Sequence, residues 1–549
     1  TRKPLSRKPA PRAITPEDLQ KFHMIGNQQI SPDGRFILFT KRHVEEPNKP
    51  ISNLWMVEVE SGKLQQFTFG NKDAQGIWSP NGQKIAFLSG REKGKSQIYL
   101  INLSGGEATP LTHFPQGAIS GFEWAPDGQS LAVLFREQDP EWTDEARKNR
   151  EEKSLSEPPR VIDDVWYRLD GDGYFNKQRF HLFQVNVPSG EHRKFFAKAP
   201  NGVTSFSWSP DSRQLVIAAN LAADAVKHPE KSRLYTIDVR TGKHQEIPGQ
   251  KDGLVTRAIC SPDGRYIAFT GQLGKKDIWK PMNHHLFVLD RKTATVKDLT
   301  VGADLCLEAP ILGDAREIEW NSPLTWSRDS RFIYFEARWQ GSSNLARVDV
   351  RSGAIESCTK GDHLLVLGNI ADDGVQVALR YGNAMHLEEV AVGRWVQGEF
   401  KVLNLTHFNQ DLFSGLSLAV TESHWVRSSE GARVHVWVMK PHQFKPGKKY
   451  PAILEIHGGP HAQYGWSFFH EFQTLAAKGY VVVFSNPRGS KGYGEEYCTA
   501  ITGDWGNRDW QDIQAVTTFM KDLNYVDQKR LAVMGGSYGG YMTNWAIGH

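Results

Sequence analysis

The sequence predicts a seven-bladed β-propeller followed by a doubly wound parallel α/β sheet. Two local patterns each recur seven times over the first three-quarters of the chain, in the same register. Past about residue 420 the repeats stop, and runs typical of buried strands alternate with helical patterns. A Gly-x-Ser-x-Gly turn near the end joins one such strand to a helix. We therefore expect a flexible basic tail at residues 1–19, a propeller at 20–415 and a sheet domain at 416–549.

Composition excludes several classes of protein. The chain has 549 residues, 39% hydrophobic and 23% charged, which is ordinary for a globular protein with more than one domain. A net charge of +4 is too small to indicate nucleic-acid binding, and no apolar run approaches the roughly 18 residues of a membrane span. The four cysteines lie far apart without a Cys-x-x-Cys pair, which favours a reducing cytoplasm. We expect no cofactor, no metal and no membrane partner.

The first repeated pattern is a tight turn that reads Ser-Pro-Asp-Gly in its full form. Proline presets one turn dihedral, the aspartate caps the turn and glycine adopts a positive φ. An apolar strand follows each turn, as Phe36–Phe39 follows Ser31–Gly34. The seven copies begin at Ser31, Ser79, Ala125, Ser209, Ser261, Ser327 and Ala371.

A second strand pattern, such as Leu54–Val57, follows each of these strands and usually ends at a Ser-Gly or Thr-Gly turn, such as Ser61-Gly62. Outside one interrupted repeat, successive copies are 44 to 66 residues apart. This period matches a propeller blade of four short strands. An array of separate β-sandwich domains is the alternative, and the short period without linkers argues against it.

One blade carries an insertion at about residues 137–180. Its first part, Glu141–Arg160, is highly charged and predicts an exposed helical excursion. The second part mixes aromatics, acids and glycines, as in a loop that lines a binding surface. Asp163 and Asp164 there, or Glu151 and Glu152 in the first part, are candidate partners of a substrate amine, and Arg168 is a candidate partner of a substrate carboxylate. Packing is the alternative role, and calcium is disfavoured because the acids lack EF-hand spacing.

The pattern after residue 420 predicts alternating strands and helices. Val434–Met439 alternates like an edge strand of a hairpin, and an exposed edge there would allow formation of a homo-oligomer. The helix at Arg508–Leu523 has Asp509 and Asp512 in its first turn. Strand-helix-strand order predicts a parallel sheet. The other predicted elements are strands at Ala452–Ile456, Tyr480–Phe484 and Leu531–Met534, and a helix at Phe468–Lys478.

Ser537 is the candidate nucleophile, within Gly535-Gly536-Ser537-Tyr538-Gly539. A nucleophile elbow needs a strand, a tight turn and a helix, so that the serine hydroxyl stands clear of the sheet. Small residues at Gly535 and Gly539 let the strand and the helix approach each other. The backbone N–H of Tyr538 would then point at a developing oxyanion. The alternative is a plain strand-to-helix turn.

Two other turns follow predicted strands, where an open α/β sheet places its active site. His457-Gly458-Gly459-Pro460-His461 exposes backbone N–H groups and can supply the second half of an oxyanion hole, unless it is only a tight turn. The turn after Phe484 contains Arg488, which would either bind a substrate carboxylate or form a structural ion pair.

In these motifs the chain resembles the prolyl oligopeptidase family of serine peptidases. Within that family it is similar to the acylaminoacyl-peptidase and dipeptidyl-aminopeptidase branch. The resemblance implies an α/β-hydrolase domain under the propeller, and hydrolysis of short peptides through an acyl-enzyme on Ser537. Other branches use a tyrosine side chain as the second oxyanion donor, but the matching position looks like His457 here. The resemblance therefore implies the Gly459 N–H as that donor, and we take His457 as a candidate substrate contact. The residues that carry the resemblance are His457–Pro460, Asn486–Ser490, Gly503–Gly506 and Gly535–Met542.

The resemblance also implies a Ser-Asp-His triad in that chain order. Among the twelve residues after Ser537 there is no Asp or Glu, and His549 would lie about 18 Å away along a helix. We therefore expect the sheet domain to be truncated after the elbow, with the Asp and His on a missing C-terminal segment or a companion chain. For the upstream histidines we expect packing or surface roles; these are His424, His435, His461 and His470.

Two rival functions differ in class from a peptidase. A carboxylesterase of the same fold would use the same nucleophile. A propeller binding module with a vestigial hydrolase half would bind a partner on the propeller face and show no turnover. The elbow and the oxyanion turn argue against the binding module, because a vestigial site has no need of either.

Overall fold

The structure, a computed structural model, describes residues 10–92, 95–274, 278 and 280–549. Residues 10–22 form a strap that contains β1 (Arg12–Ala13) and a 3-10 helix at Pro16–Lys21. Buried Asp18 holds the strap together, because its carboxylate binds Arg12 at 2.6 Å and Lys21 at 3.0 Å. Residues 1–9 of the predicted basic tail lie outside the described residues.

Seven four-stranded blades follow in the part of the chain that the structure describes. Neighbouring strands within each blade are antiparallel, and outside blade three they are consecutive in sequence. The strands of blades one to four, with a hairpin inserted in blade three, are β2 Met24–Ile30, β3 Phe36–Glu45, β4 Lys49–Glu58, β5 Leu64–Gln66; β6 Asp73–Trp78, β7 Lys84–Ser89, β8 Gln97–Asn102, β9 Thr109–Pro110; β10 Gly117–Trp124, β11 Ser130–Glu137, β12 Arg168–Leu169, β13 Gly173–Tyr174, β14 His181–Asn186, β15 His192–Phe196; β16 Val203–Trp208, β17 Gln214–Ala219, β18 Arg233–Asp238, β19 His244–Glu246. Those of blades five to seven are β20 Gly253–Cys260, β21 Tyr266–Leu273, β22 His285–Asp290, β23 Thr295–Asp298; β24 Thr325–Trp326, β25 Phe332–Trp339, β26 Ser342–Asp349, β27 Ile355–Ser357; β28 Leu364–Ile370, β29 Gln376–Asn383, β30 His386–Val396, β31 Glu399–Asn404.

The predicted tight turns connect the first and second strands of the blades. In blade one the Ser31 hydroxyl accepts the Phe36 N–H at 3.0 Å and donates to Asp33 at 2.5 Å. Gly34 completes the turn with a φ of +73°. Equivalent serine–aspartate bonds recur in blades four and five. Local turn chemistry therefore joins the first two strands of these blades at the turns that the sequence predicts.

Apolar clusters between neighbouring blades form the core of the propeller. One cluster joins blades one and two around Leu38 and Phe87, and another joins blades three and four around Leu134 and Trp208. Each of the other junctions also has its own cluster, including the one between blades seven and one. The ring is therefore closed by side-chain packing between sheets.

Blades one and seven meet at a seam without a shared strand. At this seam the Asn369 side chain accepts the Ile30 N–H at 2.8 Å and donates to the Ile30 carbonyl at 3.0 Å. Gln28 donates to the Val366 carbonyl at 3.0 Å. Hydrogen bonds from side chains thus replace the strand pairing that would otherwise join the two ends of the ring.

The insertion in blade three contains a shorter helix than the sequence predicts. Helix α1 spans Asp144–Glu152, whereas the charged stretch extends to Arg160. Thr143 caps its first turn by accepting the Ala146 N–H at 3.2 Å. The helix ends before Ser154, whose φ is +53°, and the prolines at 158 and 159 cannot continue it.

The second part of the molecule is a mixed sheet with helices on both faces. Its strand order is β33-β34-β36-β35-β37, and β35 is parallel to both of its neighbours, as predicted. The elements are α2 Gln410–Ser414, β32 Leu416–Ser417, β33 Thr421–Arg427, β34 Arg433–Met439, β35 Tyr450–Ile456, α3 His470–Ala477, β36 Val481–Asn486, α4 Glu495–Thr499, α5 Arg508–Asp522, β37 Val526–Gly535 and α6 Tyr538–Gly548.

The prediction of an edge strand at Val434–Met439 is wrong. Strand β34 lies between β33 and β36, and all but its first residue are buried. Val436 packs on one face of the sheet and Trp437 on the other. The outer strand is β33, so the edge that a second copy would meet belongs to Thr421–Arg427.

Loops of the propeller fix the position of the sheet domain. Buried Gln463 accepts the Gly341 N–H at 2.9 Å through its side chain and donates its own N–H to the Pro310 carbonyl at 3.1 Å. Asp314 caps α3 by accepting the N–H groups of His470 and Glu471, each at 2.8 Å. The strap adds a third link, where His470 donates to the Thr15 carbonyl at 3.0 Å. Of the described helices, none has the length and apolar character needed to cross a membrane.

Candidate active site

Ser537 lies at the tip of the turn between β37 and α6. Its backbone has φ +57° and ψ −121°, a conformation that L-residues rarely adopt and that a tight elbow imposes. The residue is exposed, and within the described part of the chain its hydroxyl has no hydrogen-bond partner. The strained turn therefore presents a free hydroxyl at the carboxyl end of the parallel strands.

Crowding against β35 explains the glycines on either side of the serine. A Cβ on Gly539 would lie 2.0 Å from the Ile456 carbonyl oxygen, and one on Gly535 would lie 2.4 Å from the same atom. By contrast, Gly536 has open space, and a Cβ on Gly540 would meet nothing closer than 3.4 Å. Only the two glycines of the Gly-x-Ser-x-Gly pattern are required by the packing.

The turn after β35 lies directly against the elbow. A Cβ on Gly458 would lie 3.3 Å from the Ser537 Cβ and 3.2 Å from the Gly536 carbonyl oxygen. Gly459 follows with a φ of +129°. Neither the Gly459 N–H nor the Tyr538 N–H has a hydrogen-bond partner among the described residues. The structure thus brings both predicted oxyanion donors close to Ser537 in the fold, and their role as donors stays a prediction.

His457 is buried beneath this turn. Its Nδ1 lies 2.8 Å from the Gly458 carbonyl oxygen, and its Nε2 lies 2.9 Å from the Ser490 hydroxyl, which donates to the Pro487 carbonyl at 2.7 Å. Burial lowers the pKa of His457 to about 4, so the ring is neutral near pH 7. In this arrangement His457 braces the turn from within, and its predicted contact with substrate is untested.

A buried aspartate holds the side chain of the residue after Ser537. The Tyr538 hydroxyl donates to Asp509 at 2.5 Å, and the other Asp509 oxygen accepts the Gly506 N–H at 2.8 Å. Trp505 packs its ring edge-on against Tyr538, with 5.0 Å between centroids. From the sequence, Asp509 is recognisable only as an acid in the first turn of a helix. Its position three residues after the Gly503–Gly506 motif, which is one of the motifs that carry the family resemblance, is the sequence feature that could have indicated a role at the site.

Arg488 forms a structural ion pair. Its guanidinium binds Asp512 at 2.8 Å, and its backbone N–H donates to the same carboxylate at 2.8 Å. Asp512 is fully buried and Arg488 nearly so. Of the two roles that the sequence left open, the structure shows the ion pair, which links α5 to the loop after β36.

The candidate residues of the insertion have partners within the insertion. Asp163 binds Lys177 at 2.6 Å, and the hydrogen bond from Lys177 lowers the pKa of Asp163. Asp164 binds Arg179 at 2.8 Å. Arg168 lies on β12 and binds Asp170 at 3.3 Å. Their roles toward a substrate stay predictions.

The upstream histidines have packing roles or partners in the fold. The clearest case is His435, whose ring lies between Trp425 and Trp437 and whose nitrogens bind Ser423 and Tyr493. Burial lowers the pKa of His435 to about 3. The other partners are the Gly489 carbonyl for His461, the Thr15 carbonyl for His470 and the Phe519 ring for His424.

Known proteins that are similar to this chain are peptidases. The model of the prolyl oligopeptidase family matches residues 466–549. The uncharacterized peptidase YuxL of Bacillus subtilis is 32% identical over 543 residues, covering 98% of this chain and 80% of that protein. Dipeptidyl-peptidase 5 of Porphyromonas gingivalis is 27% identical over 558 residues, covering 98% and 77%.

Solved structures show the same fold. Acylaminoacyl peptidase of Pyrococcus horikoshii aligns with a TM-score of 0.78 at 23% identity, covering 98% of this chain and 77% of that one. The alignment spans the propeller as well as the sheet domain, and it confirms the predicted seven-bladed propeller with an α/β-hydrolase domain. The 32% identity to YuxL over almost the whole chain, together with the family match at residues 466–549, shows that the chain belongs to the prolyl oligopeptidase family of serine peptidases.

Proposed function

We propose that this serine peptidase releases dipeptides from short peptides through an acyl-enzyme on Ser537. The observation that carries the proposal is the elbow itself, with its strained serine and free hydroxyl beside the Gly458–Gly459 turn. Attack by the Ser537 oxygen on a peptide carbonyl would place the negative charge between the N–H groups of Tyr538 and Gly459. Water would then hydrolyse the ester and release the peptide fragment.

We propose that the general base, and the carboxylate that orients it, lie outside residues 1–549. A triad histidine must accept the serine proton and later donate it to the leaving amine. In the turn beside the elbow, His457 has its ring nitrogens engaged with the Gly458 carbonyl and Ser490, and the Nδ1 of His461 binds the Gly489 carbonyl. A further segment or a companion chain would supply the pair, as the resemblance implies.

Dipeptide release is favoured over acylaminoacyl release by the named relatives. Several of the curated relatives are dipeptidyl-peptidases 5, whereas the likeness to acylaminoacyl peptidases supports the fold alone. A dipeptidyl enzyme must recognise a free amine, and Asp163 or Asp164 would supply the acid. The ion pairs with Lys177 and Arg179 would then have to open on binding.

Fluorophosphonate labelling of the full-length enzyme tests the nucleophile. We expect one covalent adduct, mapped to the peptide that contains Ser537, and none in Ser537→Ala. Gly540→Ala is the matched control, because the added methyl group has room there and should leave labelling intact. An adduct that persists in Ser537→Ala would show that another residue is the nucleophile.

Three chromogenic substrates separate the substrate classes. The dipeptidyl proposal predicts rapid cleavage of an amide with a free dipeptidyl amine and slow cleavage of its N-acetyl aminoacyl counterpart. The reverse order would establish acylaminoacyl release. Turnover of a dipeptidyl ester without turnover of the matching amide would instead identify an esterase.

A further inference from the structure

A cysteine of the propeller and a lysine of the hydrolase domain meet in a buried pair. The Lys491 Nζ lies 3.4 Å from the Cys306 sulfur and 2.9 Å from the Met282 carbonyl oxygen. Lys491 is 5% exposed and Cys306 is 4% exposed. Cys306 belongs to a loop after blade five, and Lys491 follows β36, so this contact crosses the domain interface.

The charge of Lys491 has an unusual environment. Among the described residues no carboxylate lies within ion-pair distance of its Nζ, although a buried ammonium ordinarily needs one. Burial disfavours the ammonium, yet the pKa of Lys491 is raised, and Cys306 is the largest contribution in that direction. The Cys306 sulfur also accepts the His284 N–H at 3.4 Å. The Cys306 thiol in turn donates to the Glu308 carbonyl at 3.3 Å.

Lys491 is also tied to the turn beside the nucleophile. Its backbone N–H donates to the Ala462 carbonyl at 3.1 Å, and the preceding Ser490 binds His457. A cavity of about 410 Å³ is lined by Met282, whose carbonyl binds Lys491, and by Asn283, which precedes the residue whose N–H binds Cys306. Any covalent change at this pair would therefore act on the interface and on the segment that braces the oxyanion turn.

We propose that Cys306 and Lys491 are a site of oxidative cross-linking, in which one oxygen atom bridges Sγ and Nζ. With dioxygen as the oxidant, the amine and the thiol each lose two electrons. One atom of dioxygen forms the new N–O and O–S bonds, and the other leaves as water with two of the three protons on the pair. The lysine nitrogen keeps one proton. The observed separation favours an inserted oxygen, because a direct N–S bond would require a much closer approach of two anchored loops.

Mass spectrometry of the wild-type protein tests the bridge directly. After exposure to oxygen and digestion with trypsin under non-reducing conditions, we expect the peptides of Cys306 and Lys491 to be joined. Their combined mass should exceed the sum of the separate peptides by one oxygen less two hydrogens, and cleavage after Lys491 should be lost. Dithiothreitol should restore both peptides. In parallel, the thermal midpoint of the full chain should rise on oxidation and return on reduction.

Variants identify the two partners. Cys306→Ser and Lys491→Arg should each abolish the joined peptide, whereas Cys498→Ser should retain it. Cys498 is the matched control because it is buried nearby and burial raises the pKa of its thiol to about 12. A Cys306–Cys498 disulfide, or sulfinic acid on Cys306 with unmodified Lys491, would overturn the proposal. Because wild-type digestion gives this answer without any variant, a folding defect in a variant does not weaken the test.

Discussion

At the residue scale, the geometry of the elbow depends on individual contacts around Ser537. At Gly539 the helix that follows Ser537 passes so close to β35 that no side chain fits. Between Ser537 and this glycine, Tyr538 has its side chain held by Asp509, which orients the first residue of α6. The position of the Ser537 hydroxyl thus depends on a glycine that admits close packing and on a buried carboxylate that anchors its neighbour.

Gly539→Ala should abolish reaction at Ser537. A Cβ 2.0 Å from the Ile456 carbonyl oxygen forces the helix away from the strand, and even small displacements cost large factors in rate. We expect the rate of fluorophosphonate labelling to fall more than about 100-fold. Gly540→Ala should stay within about twofold of the wild type, because its Cβ meets nothing closer than 3.4 Å. Equal rates in the two variants would refute the packing argument.

Asp509→Asn should lower kcat. The amide of the variant cannot accept as strongly from the Tyr538 hydroxyl while also accepting from Gly506, so the start of α6 loosens. Loss of a charge-assisted hydrogen bond of this kind corresponds to about a tenfold decrease in kcat with little change in KM. Steady-state kinetics on a dipeptidyl amide measures both constants. Asp522→Asn at the exposed end of α5 is the control and should behave like the wild type.

At the scale of elements, β35 is the strand on which the site is built. Both faces of β35 are buried, its neighbours β36 and β37 are parallel to it, and its end leads into the His457 turn. One residue departs from the apolar pattern. Glu455 is 2% exposed, and one of its carboxylate oxygens has no hydrogen-bond partner among the described residues.

Glu455 should make the stability of the protein depend on pH. Burial, with a smaller contribution from Glu471, raises the pKa of Glu455 from 4.5 to about 8. The folded state therefore binds more protons than the unfolded state between these values, and the free energy of unfolding falls as pH rises from 4.5 to about 8. Glu455→Gln removes this dependence. The difference in thermal midpoint between wild type and variant should shift in favour of the variant as pH rises from 5 to about 8.

A pH-independent difference would contradict this account of Glu455. Glu60→Gln is the matched control, because Glu60 is exposed and lies outside the core. Its difference from the wild type should be flat over the same range.

At the scale of the whole molecule, ring closure and domain docking depend on a few polar contacts. Asn369 and Gln28 join the first and last blades, and Gln463 joins the propeller loops to the hydrolase domain. Each of these side chains bonds to backbone far away in sequence. The ring is therefore complete only when both ends of the propeller have folded.

Asn369→Ala should weaken the seam between blades one and seven. The substitution leaves the Ile30 N–H and carbonyl without partners, which costs about 1–3 kcal/mol. Hydrogen exchange should accelerate in β2 and β28 but not in blade four. Asn220→Ala is the matched control, since Asn220 makes comparable bonds within a single blade. Faster exchange spread evenly over all blades would argue against a local seam.

Features set by neighbouring residues could be predicted from the sequence. The Ser-Pro-Asp-Gly turns, the strands that follow them and the strand-turn-helix elbow depend on contacts within about five residues, and these predictions are confirmed. The helix in the insertion was predicted too long because charge alone does not indicate where a helix ends. That Gly459 and Tyr538 donate to an oxyanion stays a prediction.

The repeat, the blade register and the strand-turn-helix elbow thus follow from the sequence, because turn chemistry and strand periodicity are local. Only the tertiary structure decided that β34 lies inside the sheet, because its outer neighbour β33 has no pattern that marks it as the edge. It also decided that Arg488 binds Asp512 and that Asp509 anchors Tyr538, across separations of 24 and 29 residues. Pairings over such distances depend on how strands and helices pack in three dimensions, and the local sequence pattern does not indicate that packing.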